Sequence, residues 1–436
     1  MHIPIQPERL SATFVQLCEI DSPSRREKKV SEFLVKTFHD LGAVKITEDQ
    51  SAGQTGSDCG NLLISFPGSG NGRNQATILF ACHMDTVEPG CGVEVVRNGD
   101  IFTSRGNTVL GSDDKSGIAA VIELIRILRE SKIDHAPLEL LFTTCEEIGL
   151  IGAKALDRAL LTASFGYALD STGIDRIIIG APAANKLKIE VHGIAAHAGL
   201  HPEQGISALC VTANAITNLR LGRLDEESTA NFGLIHGGVA TNIIPDHITI
   251  EGEVRSHSLA KLAKHTEEIK RTFQQVIECW PLSPVALHPS MERATLGHPC
   301  PASLAPAALG HPCPSPLSPV ALHPSMEQGA LPASSLPPVG DSLPSVEITV
   351  HPEYPAMHLN LDDPVITRIH EAGRKLGRKL DFEIAGGGSD ANIFNDFGLP
   401  TAIIATGMNK VHTTDECLDL KDLIRLTELL YAIAVI

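Results

Sequence analysis

Five places in the chain set residues of metal-ligand type just past runs that read as strands. "LFTTCEEIG" (141–149) closes an apolar run on two adjacent glutamates, Glu146 and Glu147. Adjacent carboxylates repel, and burying either one without a partner is costly, so a positive charge must hold them there. "ACHMDTVEPG" places His83 and Asp85 after another apolar run. Positions i and i+2 of a strand share a face, so His83 is placed to bind a metal while Asp85 orients its imidazole. "GSDDKSG" sets Asp113 and Asp114 before a helix, "ALDSTG" sets Asp170 after a strand, and "KVHTTDE" carries His412. Singly, each has an ordinary explanation: a helix N-cap for Asp113, a turn residue for Asp170, a surface group for a histidine. Together they point to a metal centre, because ligands of open α/β sheets gather beyond the carboxyl ends of the strands.

The elements that position these residues follow from periodicity. Residues 27–41, 114–130, 364–378, 391–396 and 421–433 read as helices, and "NLLISFPG", "ATILFACHMD", "LELLFTTCEE", "FGYALDSTG", "FEIA" and "TAIIAT" as strands. Strands that are apolar throughout, alternating with helices, predict an α/β domain with a largely buried sheet. From about residue 186 the pattern changes. "NKLKIEVHG", "NFGLIHGG" and "HITIEGEVRS" alternate, helices are expected at 205–219 and 259–278, and 345–359 supplies a fourth strand. The expectation is an α/β domain of residues 1–185 and 359–436, interrupted by an α+β module, 186–358. Within that module, 281–344 is rich in proline and repeats itself: "PLSPVALHPSME" occurs twice, as does "LGHPCP". Dense proline prevents regular helix or sheet, so this insertion is expected to be disordered.

Bulk properties narrow the function classes. The chain has 436 residues and a net charge of −17 from 35 basic and 52 acidic side chains. That balance argues against nucleic acid or an anionic membrane as partner. No apolar run is long enough to span a bilayer, and "MHIPIQPERLSATFVQL" lacks the layout of a signal peptide. Ten cysteines without a CxxC pair fit a reduced, cytoplasmic protein.

Taken in order, "HMDTV", "GSDDKSGIAA", "CEEIGLIGA", "ALDSTG", "HGIAAHAG", "TNIIPD", "GGGSDAN" and "VHTTDE" resemble the M20 family of two-metal peptidases, most closely its peptidase T-like branch. The motifs span about residues 80–416. The resemblance implies a zinc-peptidase-like α/β catalytic domain with an inserted α+β lid of the dimerisation type. It implies that His83 and Asp170 bind one metal, that Glu147 and His412 bind the second, and that Asp113 bridges them. Asp85 would support His83, and Glu146 would be the general base. Two divalent ions would then supply the charge the glutamates require. His and carboxylate ligands suit zinc, and also cobalt or manganese.

The lid motifs carry further implications. His197 would donate to the tetrahedral oxyanion, often in the site of a partner subunit, so a homodimer through the lid is implied. Asn242 and Arg255 would contact substrate, Arg255 pairing with a substrate carboxylate. The loop "AGGGSDAN" departs from the tripeptide-specific members, which carry an arginine there. Strict tripeptide specificity is therefore not implied, and Gly387 and Ser389 would let the substrate backbone approach closely. The expected activity is a two-metal exopeptidase acting on short peptides from the free N-terminus. An N-acyl amino acid amidohydrolase using the same metals, and a non-catalytic metal-binding scaffold, remain open.

Overall fold

In the computed structural model, which describes residues 3–280 and 343–435, the most apolar strands lie side by side at the centre of one large sheet. Leu138–Thr143 and Ile78–His83 are buried at all six positions each. Such a strand has no solvated face, so it needs cover on both sides. One cover is the helix Ser112–Ser131, which packs on the strands Ile78–His83 and Phe165–Ser171 and against the helices Pro7–Cys18 and Leu420–Val435. Gly117 is where this helix meets the sheet: a Cβ there would lie 2.8 Å from Leu169 Cβ and 3.0 Å from Cys82 Sγ.

The sheet has nine strands. Its order is Lys45–Glu48, Leu62–Phe66, Leu138–Thr143, Ile78–His83, Phe165–Ser171, Thr401–Ala405, Arg176–Ala181 and Met357–His358, with Asp381–Ile384 also paired to Arg176–Ala181. Four neighbouring strands, from Leu138–Thr143 to Thr401–Ala405, run parallel. Their carboxyl ends therefore open on one edge, and four of the five candidate segments follow those ends. This is the mixed α/β architecture expected from the sequence.

The second sheet is antiparallel throughout, in the order Gly222–Arg223, Ser228–Gly237, His247–Ser256, Ala183–His192 and Ser345–Tyr354. Alternation along Ala183–His192 turns Leu187, Ile189 and Val191 toward a core shared with the helices Ala208–Thr217 and Leu259–Glu278. Lys186, Lys188 and Glu190 take the other face. An antiparallel sheet covered by two helices is the α+β arrangement expected for the second module. Two details differ from the sequence expectation. The lid strand begins at Ala183, and Met357–His358, expected in the lid's fourth strand, pairs instead with Arg176–Ala181 of the large sheet. Ser345–Tyr354 is an edge strand that tolerates Pro352 beside a bulge, and Pro355 follows its last residue. The insertion 281–344 lies outside the described residues, apart from its last two positions.

Candidate metal centre and active-site cavity

His83 is the last residue of a buried strand, and its ring is itself buried. Its Nδ1 lies 2.9 Å from the main-chain oxygen of Asp85, so this nitrogen carries a proton and donates it. With Nδ1 so engaged, Nε2 is the nitrogen that would offer its lone pair to a metal; in the metal-free chain it is protonated and donates to Asp113. Nε2 faces Asp113 Oδ1 at 3.1 Å. The other oxygen of the same carboxylate, Oδ2, faces His412 Nε2 at 3.2 Å. His412 also faces Glu147, at 3.1 Å to Oε2 and 3.2 Å to Oε1. Asp113 thus divides its two oxygens between two imidazoles brought from sequence positions 83 and 412.

Donor atoms within 4.8 Å of one another form three relevant groups: His83 with Asp113 and Asp170, Asp113 with Glu147 and His412, and His83 with Glu146 and Glu147. Asp113 belongs to the first two. It does not cap the helix: its own backbone is non-helical, and the carboxylate that accepts from the first turn, at Gly117 N, is that of Asp114. Asp170 closes the strand Phe165–Ser171 and is not a turn residue.

The glutamate pair is held by its backbone. Cys145 sits in the left-handed region at φ 54° and starts a tight turn. In it, Gly149 and Leu150 donate to the Glu146 carbonyl at 2.9 and 2.7 Å. Two buried carboxylates receive the N–H groups this turn exposes. Glu27 accepts from Cys145 N at 2.9 Å. Asp85 accepts from Glu146 N at 3.0 Å through Oδ1 and from Glu147 N at 3.2 Å through Oδ2. Ser24 donates to Asp85 Oδ2 at 2.7 Å. The Asp85 carboxylate also lies 3.5 Å from His83 Nδ1, whose nearer acceptor is the Asp85 carbonyl, so Asp85 reaches the imidazole as expected and holds the two glutamates as well.

The electrostatics mark a site short of positive charge. Burial, then the charge of Asp170, holds the Glu146 carboxyl well above its ordinary range. Burial, then Asp113, does the same to Asp170, and burial raises Glu147 despite its hydrogen bond with His412. Burial likewise pushes Asp390 up to about 6. Asp113 goes the other way: burial opposes ionisation, but hydrogen bonds from His412 and His83 outweigh it. Hydrogen bonds to Asp113 and then to Glu147 raise His412 to about 10. A donor set of imidazoles and carboxylates, one carboxylate shared, with the rest destabilised as anions, fits a pair of divalent cations.

The centre opens into a cavity of about 620 Å³ lined by Asp113, Glu146, Glu147, Asp170 and His412 on one side and by lid residues on the other. Arg255 and Gly387 line it, as does Ser389. Arg255 is already engaged, with Nε 2.8 Å from Glu253 Oε1 and Nη1 donating to Gly386 O at 3.4 Å. The Ser389 hydroxyl accepts from Ala391 N and caps the helix Asp390–Asp396, a use its position before "DAN" signals. His197 and Asn242 do not line this cavity. Their segments run side by side at an exposed place beside the second sheet, where Ala198 N donates to Asn242 O at 2.9 Å and His197 pairs with Ile243. Glu416 and Asp390 were assigned no part from the sequence, although both stand in motifs that drew attention, "VHTTDE" and "GGGSDAN". Glu416 is buried against the Asp113 loop, and Asp390 accepts from Thr143 Oγ1 at 2.5 Å.

Comparison with known proteins places the chain in a family. Residues 79–435 match the model of peptidase family M20/M25/M40. An uncharacterised protein of Bacillus subtilis, YqjE, is 35% identical over 431 residues, 98% of either chain. The crystal structure of an aminopeptidase PepT from Bacillus cereus superposes with a TM-score of 0.76 at 33% identity, covering 99% of this chain and 98% of that one. That of a tripeptidase from Staphylococcus aureus does so with a TM-score of 0.79 at 30% identity, with the same coverage. The chain belongs to peptidase family M20/M25/M40 and is a hydrolase of peptide bonds.

Proposed function

We propose that the chain is a two-metal aminopeptidase of short peptides, with residues 1–185 and 359–436 as its catalytic domain and 186–358 as its lid. The observation that carries this reading is Asp113, whose oxygens each face a different imidazole. His83, Asp113 and Asp170 would hold one ion, and Asp113, Glu147 and His412 the other. Zinc suits these ligands, and cobalt and manganese are alternatives. When bound, such ions acidify a water and polarise the scissile carbonyl.

The residues of the chain then divide the work. Glu146 groups with His83 and Glu147, one proposed ligand from each site, so it is the buried carboxylate that stands between the two ions' own groups. It receives a proton from the attacking water at a carboxylate oxygen and returns it to the leaving nitrogen. A base must be unprotonated, and two cations would offset the burial and like charge that hold its proton on. Arg255, Gly387 and the backbone at Ser389 form the wall that receives the peptide. The names of the two structural relatives, an aminopeptidase and a tripeptidase, support a free amino terminus as the feature selected.

His197 is proposed as the oxyanion donor. Its Nδ1 accepts from Gly199 N and Leu200 N, both at 3.2 Å, so a neutral ring carries its proton on Nε2, pointed outward. Because it lies away from its own chain's cavity, it would serve a partner's. Two observations support a homodimer through the lid. Residues 231–237 form a free sheet edge among the described residues, and Leu200, Leu234, Ile235, Val239 and Ile243 are exposed nearby in the lid. A cytoplasmic location is proposed on the eight cysteines of the described residues, all of them free. No helix of the described residues is long and apolar enough to cross a membrane.

The test is hydrolysis of one panel by the purified protein with zinc, cobalt or manganese. The panel holds di- and tripeptides, N-blocked peptides and N-acyl amino acids. Cleavage confined to free-amine peptides is expected. Cleavage confined to N-acyl amino acids would replace the aminopeptidase by an amidohydrolase.

A further inference from the structure

Glu416 is fully buried, and no ion pair reaches it among the described residues. Its charge is met by four donors from four consecutive residues. Oε2 accepts from Leu110 N at 2.8 Å and Gly111 N at 2.9 Å. Oε1 accepts from Ser112 Oγ at 2.5 Å and Asp113 N at 3.2 Å. Successive N–H groups converging on one anion form a nest, and here the anion is a side chain of the protein itself. Gly111 makes the curl possible, at a φ of 77° that side chains rarely adopt. The last residue of the nest is Asp113.

The other end of Glu416 leads to His412. Asn409 and Cys417 exchange backbone hydrogen bonds at 3.0 and 3.1 Å and close the loop between them. Inside it, Glu416 N donates to Thr413 O at 3.1 Å and Thr413 Oγ1 donates to Lys410 O at 2.7 Å. The loop touches Asp113 twice. The His412 imidazole faces its side chain, and the Glu416 carboxylate holds its backbone.

We propose that Glu416 is a positioning residue of the metal centre: by pinning the backbone of Asp113 it sets the affinity for both ions at once. This rests on the two-metal reading above. The chemistry explains why a carboxylate is needed. Glutamine has one acceptor oxygen, so its NH2 would face either Asp113 N–H and Ser112, or Leu110 and Gly111. The serine hydroxyl can turn and accept, but a main-chain N–H cannot. A ligand of one ion alone would weaken that ion when disturbed. Release of the shared ligand weakens both.

The experiment titrates Co²⁺ into metal-stripped full-length chain, reading visible absorption and stoichiometry, for wild type, E416Q and S112A. Thermal unfolding of each metal-free chain and kcat and KM on a tripeptide are measured alongside. E416Q is expected to bind both ions about 10- to 100-fold more weakly, the usual effect of losing an outer partner of a metal ligand. Its kcat falls while KM stays within about threefold. S112A, which removes one donor and no acceptor, weakens both ions by a smaller factor. Wild-type affinity in E416Q, or weakening at one ion only, would overturn the proposal. So would a lower unfolding temperature with unchanged affinities, the mark of a merely structural role. If E416Q does not fold, unchanged affinities in S112A overturn it. A wild-type chain that takes up no Co²⁺ refutes the two-metal reading itself, a result distinct from the others.

Discussion

Replacing Asp85 by asparagine tests how the glutamate pair is held. The carboxylate is buried and accepts from Glu146 N and Glu147 N on different oxygens, with Ser24 Oγ added on Oδ2. Asparagine keeps one acceptor oxygen, so either orientation sets an amide NH2 against one of the two main-chain donors. The better orientation puts NH2 at the Oδ2 position, since the Ser24 hydroxyl can reverse there. The N–H of Glu147 is then unsatisfied. A hydrogen bond to a charged acceptor contributes about 1.5–3 kcal/mol, and an orphaned buried donor costs about 1–3 kcal/mol. Part of this overlaps, giving about 2–4 kcal/mol lost for D85N. Because the disturbed residue is a proposed metal ligand, kcat should fall by about 10- to 100-fold as well. Urea unfolding of the metal-free chain measures the first, and peptide hydrolysis with saturating metal the second. Stability within about 0.5 kcal/mol of wild type, together with unchanged kcat, would refute the account of Asp85.

Other expectations follow from the same geometry. His412, held at about 10 by Asp113 and Glu147, carries a proton at neutral pH in the metal-free chain, so metal uptake should release about one proton or more. Calorimetry in buffers of different ionisation enthalpy detects this, and a heat independent of buffer contradicts it. Because this pKa lies above the ordinary 6.5, the metal-free chain gains stability from the contact below about pH 6.5 and loses it as pH rises through about 10. Urea midpoints across that range, absent metal, should fall accordingly. G152A would put a Cβ 2.1 Å from Thr144 O and 2.8 Å from Thr144 N, beside the turn that carries Glu146. It should cost about 3 kcal/mol or more and lower kcat, and near-wild-type unfolding would count against the turn's rigidity. Finally, E146A and H197A, each nearly inactive, should regain activity when their chains are mixed, because a mixed dimer holds one complete site. No gain in a mixture shown to exchange subunits would remove His197 from the partner's site.

Much of the candidate site was legible in the sequence because most of its candidate ligands follow strands that are unmistakably buried. All five places could be picked out from residue type and position, and the motif resemblance added the roles proposed for them. What stayed hidden depends on backbone donors rather than residue types. Nothing in "HMDTV" shows that the Asp85 carboxylate binds two N–H groups some 60 residues away. Nothing in "VHTTDE" shows Glu416 filling a nest about 300 residues distant. The Met357–His358 strand was missed because two residues carry no period, and its assignment rests on pairing with Arg176–Ala181. Arg255 was read as open to substrate, but Glu253, two residues earlier on the same face of one strand, already pairs with it. The period-2 rule could have shown that.

The most direct test of the central claim is the activity of metal-stripped chain as zinc is added back, on a free-amine tripeptide, with E146Q measured in parallel. The account predicts no turnover without metal and a plateau near two equivalents. It also predicts that E146Q binds the same two ions with kcat lowered by about 10²- to 10⁴-fold. Turnover in the stripped chain, or undiminished turnover in E146Q, would contradict it.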